Sequence, residues 1–273
     1  MSNEMKRAPM AVILAAGEGS RLGSLTDDSP KSLLPVGGSV ILERIIRNCL
    51  SCGMSQFVLV LGHRADEVRQ FVDKTFRGIR VTYVVNDRHR ETGTGYSLML
   101  ASSAVGATEF IKFNSDVVFD AKILRALVDS QLTNVLCIDG NAALTGEKVK
   151  VMADQQMRIS QIGQSVDPAT ALGESIGIEK ISSSTAPLLF AALKATMDSA
   201  VQWQDPCEAT YAELVANGTA FHALDITGMN WTEIETADDY AAANAMFGSP
   251  VTTVSRWQQN AQDEAITNPA RAK

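Results

Sequence analysis

Ala11-Val12-Ile13-Leu14-Ala15-Ala16-Gly17-Glu18-Gly19-Ser20-Arg21-Leu22 runs from an unbroken apolar stretch straight into a glycine-rich turn and then a basic residue. Val12-Ile13-Leu14 has no polar alternation, as expected of a short strand covered on both faces. Glycines after such a strand let the backbone approach a phosphate closely and leave N–H groups free to bind it. The run is neither GxGxxG nor a Walker loop, because no lysine directly follows a glycine. Taken alone it is equally a plain strand-to-helix turn. Pro30-Lys31-Ser32-Leu33-Leu34-Pro35-Val36 follows, with Lys31 ten residues after Arg21. A lone lysine between two prolines reads as a cation positioned on a rigid loop.

Outward from this loop, strands and helices alternate. Apolar residues at helical spacing predict a helix over 41–50, stopped by Gly53, and a continuous apolar strand over 57–61. A helix through Val68, Phe71 and Val72 follows, then a strand over 81–85, a helix over 97–105 and a strand over 110–113 ending at Asn114-Ser115-Asp116. This rhythm predicts an α/β fold, a Rossmann-like, doubly wound and mostly parallel sheet. After Asp120 the order changes to helix 121–130, strand 134–138, strands near 149–153 and 176–181, helices over 186–197 and 208–215, strands over 221–226 and 231–235, and a helix over 237–246. That stretch is expected to form a smaller α+β region. The expected organisation is one domain over 1–247, with halves 1–120 and 121–247, and a peripheral tail or linker over 248–273.

Composition narrows the classes. The chain is 45% hydrophobic and 20% charged, in the range of a globular protein with a proper core. No apolar run approaches the ~20 residues of a membrane helix, and residues 1–10 lack a secretory signal, so a cytoplasmic location without membrane partners is expected. A net charge of −7 argues against a nucleic-acid partner but not against a nucleotide, which needs only local positive charge. Cys49 and Cys52 form a CxxC within a helical pattern, with no second pair to complete a metal site, and read as packing residues. His63, His89 and His222 form no evident catalytic cluster.

The joined motif from Ala11 to Val36 resembles the opening LAAGxGxRLxPLTxxxPKxLxPV of the sugar-nucleotidyltransferase superfamily, departing at Gly23-Ser24. The resemblance implies a nucleotide-binding half over 1–120 and an acceptor-binding half over 121–247. It makes Leu14, Ala15, Ala16, Gly17, Glu18, Gly19 and Ser20 the triphosphate loop, and Arg21 and Lys31 the catalytic cations. Asn114-Ser115-Asp116 falls where the family has its first metal-binding aspartate, at the strand end where open α/β sheets bind ligands. Trp231-Thr232-Glu233-Ile234-Glu235-Thr236 is similar to the family's late W-x-E-I-D/E-T segment, which carries the second. Glu233 and Glu235 would share a strand face, so both stay candidates, with Glu235 preferred. Asp120, not Asp116, is expected to cap the following helix. Asp116 and Glu235 then offer the hard oxygens that Mg²⁺ prefers.

Within the superfamily the middle of the chain resembles the small cytidylyltransferases of phosphocholine, phosphonates or inositol phosphate. Asn86, Thr92, Gly93, Thr94 and Ser97 fall where those enzymes contact the base, although the TGTG run is equally like hexose-1-phosphate enzymes. Residues 173–180 resemble their acceptor-side strand, which makes Glu174 and Lys180 acceptor-binding candidates. Gln164 replaces a lysine that meets the acceptor phosphate in many relatives, so Lys150 or Lys180 would supply that charge. The resemblance implies CTP and a small acceptor, such as 2-hydroxyethylphosphonate, 2-aminoethylphosphonate or phosphocholine, joined with release of pyrophosphate. The alternatives are a sugar-1-phosphate enzyme using UTP, dTTP or GTP, and a non-catalytic nucleotide-binding regulatory subunit.

Overall fold

The computed structural model describes residues 8–248. The tail expected over 248–273 therefore lies, apart from Gly248, outside the described residues.

The nucleotide half contains β1 (Met10–Ala15), β2 (Pro35–Val36), β3 (Ser39–Val40), α1 (Ile41–Ser51), β4 (Gln56–Leu61), α2 (Ala65–Thr75), β5 (Arg80–Val85), α3 (Thr94–Leu100), α4 (Ser102–Val105), β6 (Phe110–Asn114) and β7 (Val117–Phe119). The second half contains α5 (Ala121–Asp129), β8 (Val135–Asp139), β9 (Lys150–Ala153), β10 (Ile159–Gly163), β11 (Gly173–Ile181), α6 (Ala186–Met197), α7 (Cys207–Ala216), β12 (His222–Asp225), β13 (Trp231–Glu233) and α8 (Ala237–Phe247).

One nine-stranded sheet crosses both halves in the order β10-β9-β11-β6-β1-β4-β5, with β8 and β12 branching from β11. Strands β6, β1, β4 and β5 are mutually parallel, and β11 joins β6 antiparallel. Central strands β1 and β4 are covered on both faces, which is why they carry no polar alternation. Ala11, Ile13, Phe57 and Leu59 pack into one core with residues of α1, α2 and α5. Val12, Leu14, Val58 and Val60 pack into the other with residues of α3, α6 and α7.

The expected Rossmann-like α/β architecture is observed, with local differences. The helix expected from residue 97 begins at Thr94, and Ala101 separates a second short helix. The strand expected over 176–181 starts at Gly173. β7 and β10 carry no long apolar run and were not anticipated. β13 ends at Glu233, so Glu235 sits beyond the strand. Asp120 occupies the N-cap position of α5, yet its side chain makes no capping bond and accepts from Asn230 Nδ2 instead. All four cysteines are free, and burial raises the Cys49 thiol well above its ordinary range, in keeping with a packing role.

Parallel strands place the turn after β1, the His63 turn after β4 and the segment after β5 along one edge. The turn from β6 to β7 joins them there, and β13 pairs with β7 so that Ile234 N–H reaches the Asp116 carbonyl. That pairing delivers the late acidic segment to the loop that opened the chain.

Candidate active site

The glycine loop is shaped by backbone strain that only certain residues tolerate. Gly19 has φ +70°, and a Cβ there would sit 3.0 Å from Lys31 Cβ. A side chain at this position would push the loop off the lysine-bearing turn. Short 3-10 turns over Ser20–Thr26 and Lys31–Leu33 then present Arg21 and Lys31 to the same cleft.

Two adjoining cavities occupy the cleft. The first, about 340 Å³, is bounded by Leu14, Ala15, Gly17, Gly19, Ser20, Arg21, Lys31, Thr94, Asp116, Glu233 and Glu235. The second, about 460 Å³, is bounded on the far side by Glu147, Lys148, Gln164, Glu174, Ser175 and Glu208. Arg21, Thr94, Asn114, Glu233 and Glu235 form the wall common to both. A smaller recess of about 140 Å³ lies beside the first, between Ala16, Gly17, His89, Thr92, Gly93, Thr94 and Ser97.

Charges in the cleft are paired across it. Lys31 Nζ donates to Asp116 Oδ2 at 2.7 Å. Arg21 donates through both terminal nitrogens to the two oxygens of Glu235. Lys148 Nζ bridges Glu174 at 3.0 Å and Glu233 at 2.9 Å. Burial disfavours the Lys148 charge, but Glu233 and Glu174 outweigh that and hold its pKa above the ordinary lysine range. Glu233 is pushed up to about 7, first by burial and then by the charge of Asp116, against the pull of Lys148. Glu174 is raised mainly by burial.

Asp116, Glu233 and Glu235 line one cavity, and the charges of Asp116 and Glu235 work against that of Glu233, a repulsion that a divalent cation would relieve. The second Asp116 oxygen, Oδ1, is buried with no hydrogen-bond partner. A buried carboxylate oxygen left in that state is costly unless something positive meets it. These residues suit a small oxygen-seeking divalent ion.

The positions expected from sequence divide clearly. The loop residues, Arg21, Lys31, Asp116 and Glu235 come together, although Glu18 turns away from the two main cavities towards His63, His89 and Arg90. Thr92, Gly93, Thr94 and Ser97 line the small recess, while Asn86 stands behind it, its buried amide donating to Thr92 Oγ1 and Ser97 Oγ. Glu174 lines the second cavity.

Lys150 and Lys180 do not line the cleft. Lys150 is 1% exposed and its Nζ donates to the Thr145 and Lys148 carbonyls. Lys180, also 1% exposed, donates to the Leu127 and Ser130 carbonyls under the end of α5. The lysine that lines the second cavity is Lys148, and Gln164 lines it too. Strand geometry carried a warning: Lys180 stands six positions after Glu174, roughly 20 Å along a strand, too far for both to hold one small molecule.

A buried charged group also lies behind the second cavity. Lys112, on β6, is wholly buried and meets Glu179 and Glu208. Burial works against its ammonium, yet Cys207, Glu179 and Glu208 raise its pKa well above the ordinary value. Glu208 faces the cavity from this group.

Comparison with known proteins bears on the family and the fold. Residues 11–158 match the model of the MobA-like NTP transferase domain. The chain is 27% identical over 252 residues to the CMP-5'-(3-aminopropyl)phosphonate synthase of Streptomyces rubellomurinus, covering 88% of this chain and 39% of that protein. It is 29% identical over 237 residues to the bifunctional IPC transferase and DIPP synthase of Aquifex aeolicus, covering 85% of this chain and 50% of that one. The chain therefore spans half or less of the length of these relatives. The solved inositol-1-phosphate CTP transferase from T. maritima superposes with a TM-score of 0.73 at 22% identity, covering 90% of this chain and 99% of that chain. Among the described residues, no helix is long and apolar enough to cross a membrane.

Proposed function

The chain belongs to the family of MobA-like NTP transferase domains, and from that premise we propose that it transfers CMP from CTP to a small phosphonate or phosphomonoester. The observation that carries this reading is the pair of adjoining cavities with one common wall, the phosphate-type loop on one side and Lys148 on the other. The phosphonate named for the Streptomyces relative fits an acceptor of this kind.

In this reading the glycine loop, Arg21 and Lys31 hold the triphosphate in the first cavity, and the base enters the recess of Thr92, Thr94 and Ser97. Lys148 takes the acceptor phosphate or phosphonate in the second. The reacting groups meet at the wall of Arg21, Glu233 and Glu235. An acceptor oxygen forms the new bond to the α-phosphorus, the bond from that phosphorus to the bridging oxygen of the leaving group breaks, and pyrophosphate departs. A phosphate acceptor with a second pKa of ~6 is already largely ionised at neutral pH, so no general base is required. Rate enhancement rests on alignment and on neutralising the charge that gathers on the phosphates.

Asp116, Glu233 and Glu235 would hold Mg²⁺ or a similar ion, which when bound supplies further positive charge to the triphosphate. The observed ion pairs suit an exchange of partners. Phosphate oxygens would take Arg21 and Lys31 from Glu235 and Asp116, leaving those carboxylates able to hold the cation. Until then the pairs hold all four side chains within the cleft.

The test is pyrophosphate release with CTP, UTP, dTTP and GTP, each against phosphonates, phosphoalcohols and sugar phosphates. CTP with a small phosphonate or phosphoalcohol is the expected active combination. Activity confined to hexose 1-phosphates would overturn the reading.

A further inference from the structure

Glu18, His63 and His89 come from three separate segments, each leaving the C-terminal end of one of the adjacent parallel strands β1, β4 and β5. His63 Nδ1 and His89 Nε2 each lie 3.6 Å from the same Glu18 oxygen, and one donor atom from each of the three residues lies within 4.8 Å of the others. Around a tetrahedral zinc with bonds of ~2.0–2.1 Å, neighbouring donors are roughly 3.4 Å apart. Two of the three edges already approach that spacing.

The ring of His89 is set for such a ligand. Its Nδ1 lies 3.2 Å from the Asn86 carbonyl, and a carbonyl only accepts, so Nδ1 carries the hydrogen. Nε2 then faces the Glu18 carboxylate, and that nitrogen is buried with no hydrogen-bond partner. A lone pair aimed at a carboxylate is unfavourable unless a cation or proton stands between them. A second ring nitrogen tied to a backbone carbonyl is also what fixes the orientation of metal-binding histidines.

The backbone around the cluster is held close. His63 N–H donates to the Ala16 carbonyl at 3.0 Å. Gly62 allows the approach, because a Cβ there would lie 2.6 Å from the Ala16 oxygen and 2.7 Å from His89 Cβ. The donor set arises from this packing and owes nothing to the carboxylates of the main cleft.

We propose that Glu18, His63 and His89 form a binding site for a zinc-like transition ion, tying the glycine loop to the two neighbouring strand ends. Two imidazoles and one carboxylate favour such an ion over magnesium, and water would fill the fourth position. Arg90 is its competitor, since its Nε hydrogen-bonds the same Glu18 oxygen; the side chain is 73% exposed and can swing away. Metal binding at this site stands independently of which reaction the main cleft performs.

The test uses the tag-free full chain, stripped with a chelator and kept in excess Mg²⁺ to cover the main-cleft carboxylates. Titration with Zn²⁺ should show one ion per chain, and Co²⁺ should give the strong visible bands of a four-coordinate site. His63→Ala and His89→Ala should each weaken Zn²⁺ at least about tenfold, on the scale of lost ligand-shell interactions, whereas Arg90→Ala should tighten it. Because a histidine variant can lose its fold, carbethoxylation of the wild type provides a second measurement. Zn²⁺ should protect His63 and His89 but not His222, whose Nδ1 is bonded to the Thr133 carbonyl. Absence of Zn²⁺ binding, or equal labelling of all three histidines with and without Zn²⁺, would overturn the proposal. So would folded histidine variants that both bind as the wild type does.

Discussion

Replacing Lys148 with methionine tests where the acceptor binds. Methionine keeps most of the aliphatic stem and removes the ammonium that sits 3.0 Å from Glu174 and 2.9 Å from Glu233. A hydrogen bond from a charged group is worth ~1.5–3 kcal/mol, so losing it to the acceptor phosphate lowers kcat/KM for the acceptor roughly 10- to 150-fold. The loss should fall on the acceptor, because Lys148 lines the second cavity and not the first. Pyrophosphate release measured with each substrate varied in turn separates the two constants. Lys180→Met is the control: its Nζ serves two backbone carbonyls under α5, so it should lower Tm and leave the acceptor KM unchanged. Thermal melting of Lys148→Met itself separates a local from a global defect. An unchanged acceptor constant in folded protein, or an equal loss for CTP, would refute the assignment of Lys148.

Asp116→Asn should cut turnover by ~10²–10³-fold or more, the scale of one electrostatic contributor, with a native circular dichroism spectrum; near-wild-type turnover would remove Asp116 from the metal set. Lys112→Met leaves Glu179 and Glu208 buried without their cation and should destabilise the fold by ~3–5 kcal/mol in urea unfolding. Glu233 has a folded-state pKa of about 7, above its ordinary 4.5, so the folded chain binds the extra proton and this residue's contribution to stability falls as pH rises from about 4.5 to 7. Glu233→Gln should therefore flatten that part of the Tm-against-pH curve, measured with a chelator present, and an unaltered slope would dismiss the shift.

How much was readable from sequence depended on how far apart the cooperating residues lie and on which direction each faces. β1, the glycine turn, Arg21 and Lys31 occupy one short stretch, where strand burial and glycine spacing limit the chain to few shapes. Asp116 was implied by the family resemblance, in agreement with its position after a strand end. Glu235 was recognisable as a residue type in a motif, but its arrival beside Arg21 depends on β13 pairing with β7 across more than a hundred residues. The lysines were harder for a different reason. Lys148, Lys150 and Lys180 are alike in composition and neighbourhood, and only packing decides that Lys148 faces a cavity while the other two bend back onto carbonyls. Lys112 sits within an apolar strand and its partners lie 67 and 96 residues later, so no local pattern announces the buried charges. The histidines follow the same rule. His63 and His89 are far apart in the chain, yet β4 and β5 are adjacent and parallel, so both leave the sheet beside Glu18. Sheet order creates that cluster, and a residue pattern read along the chain contains sheet order only where the strands are already known to be neighbours.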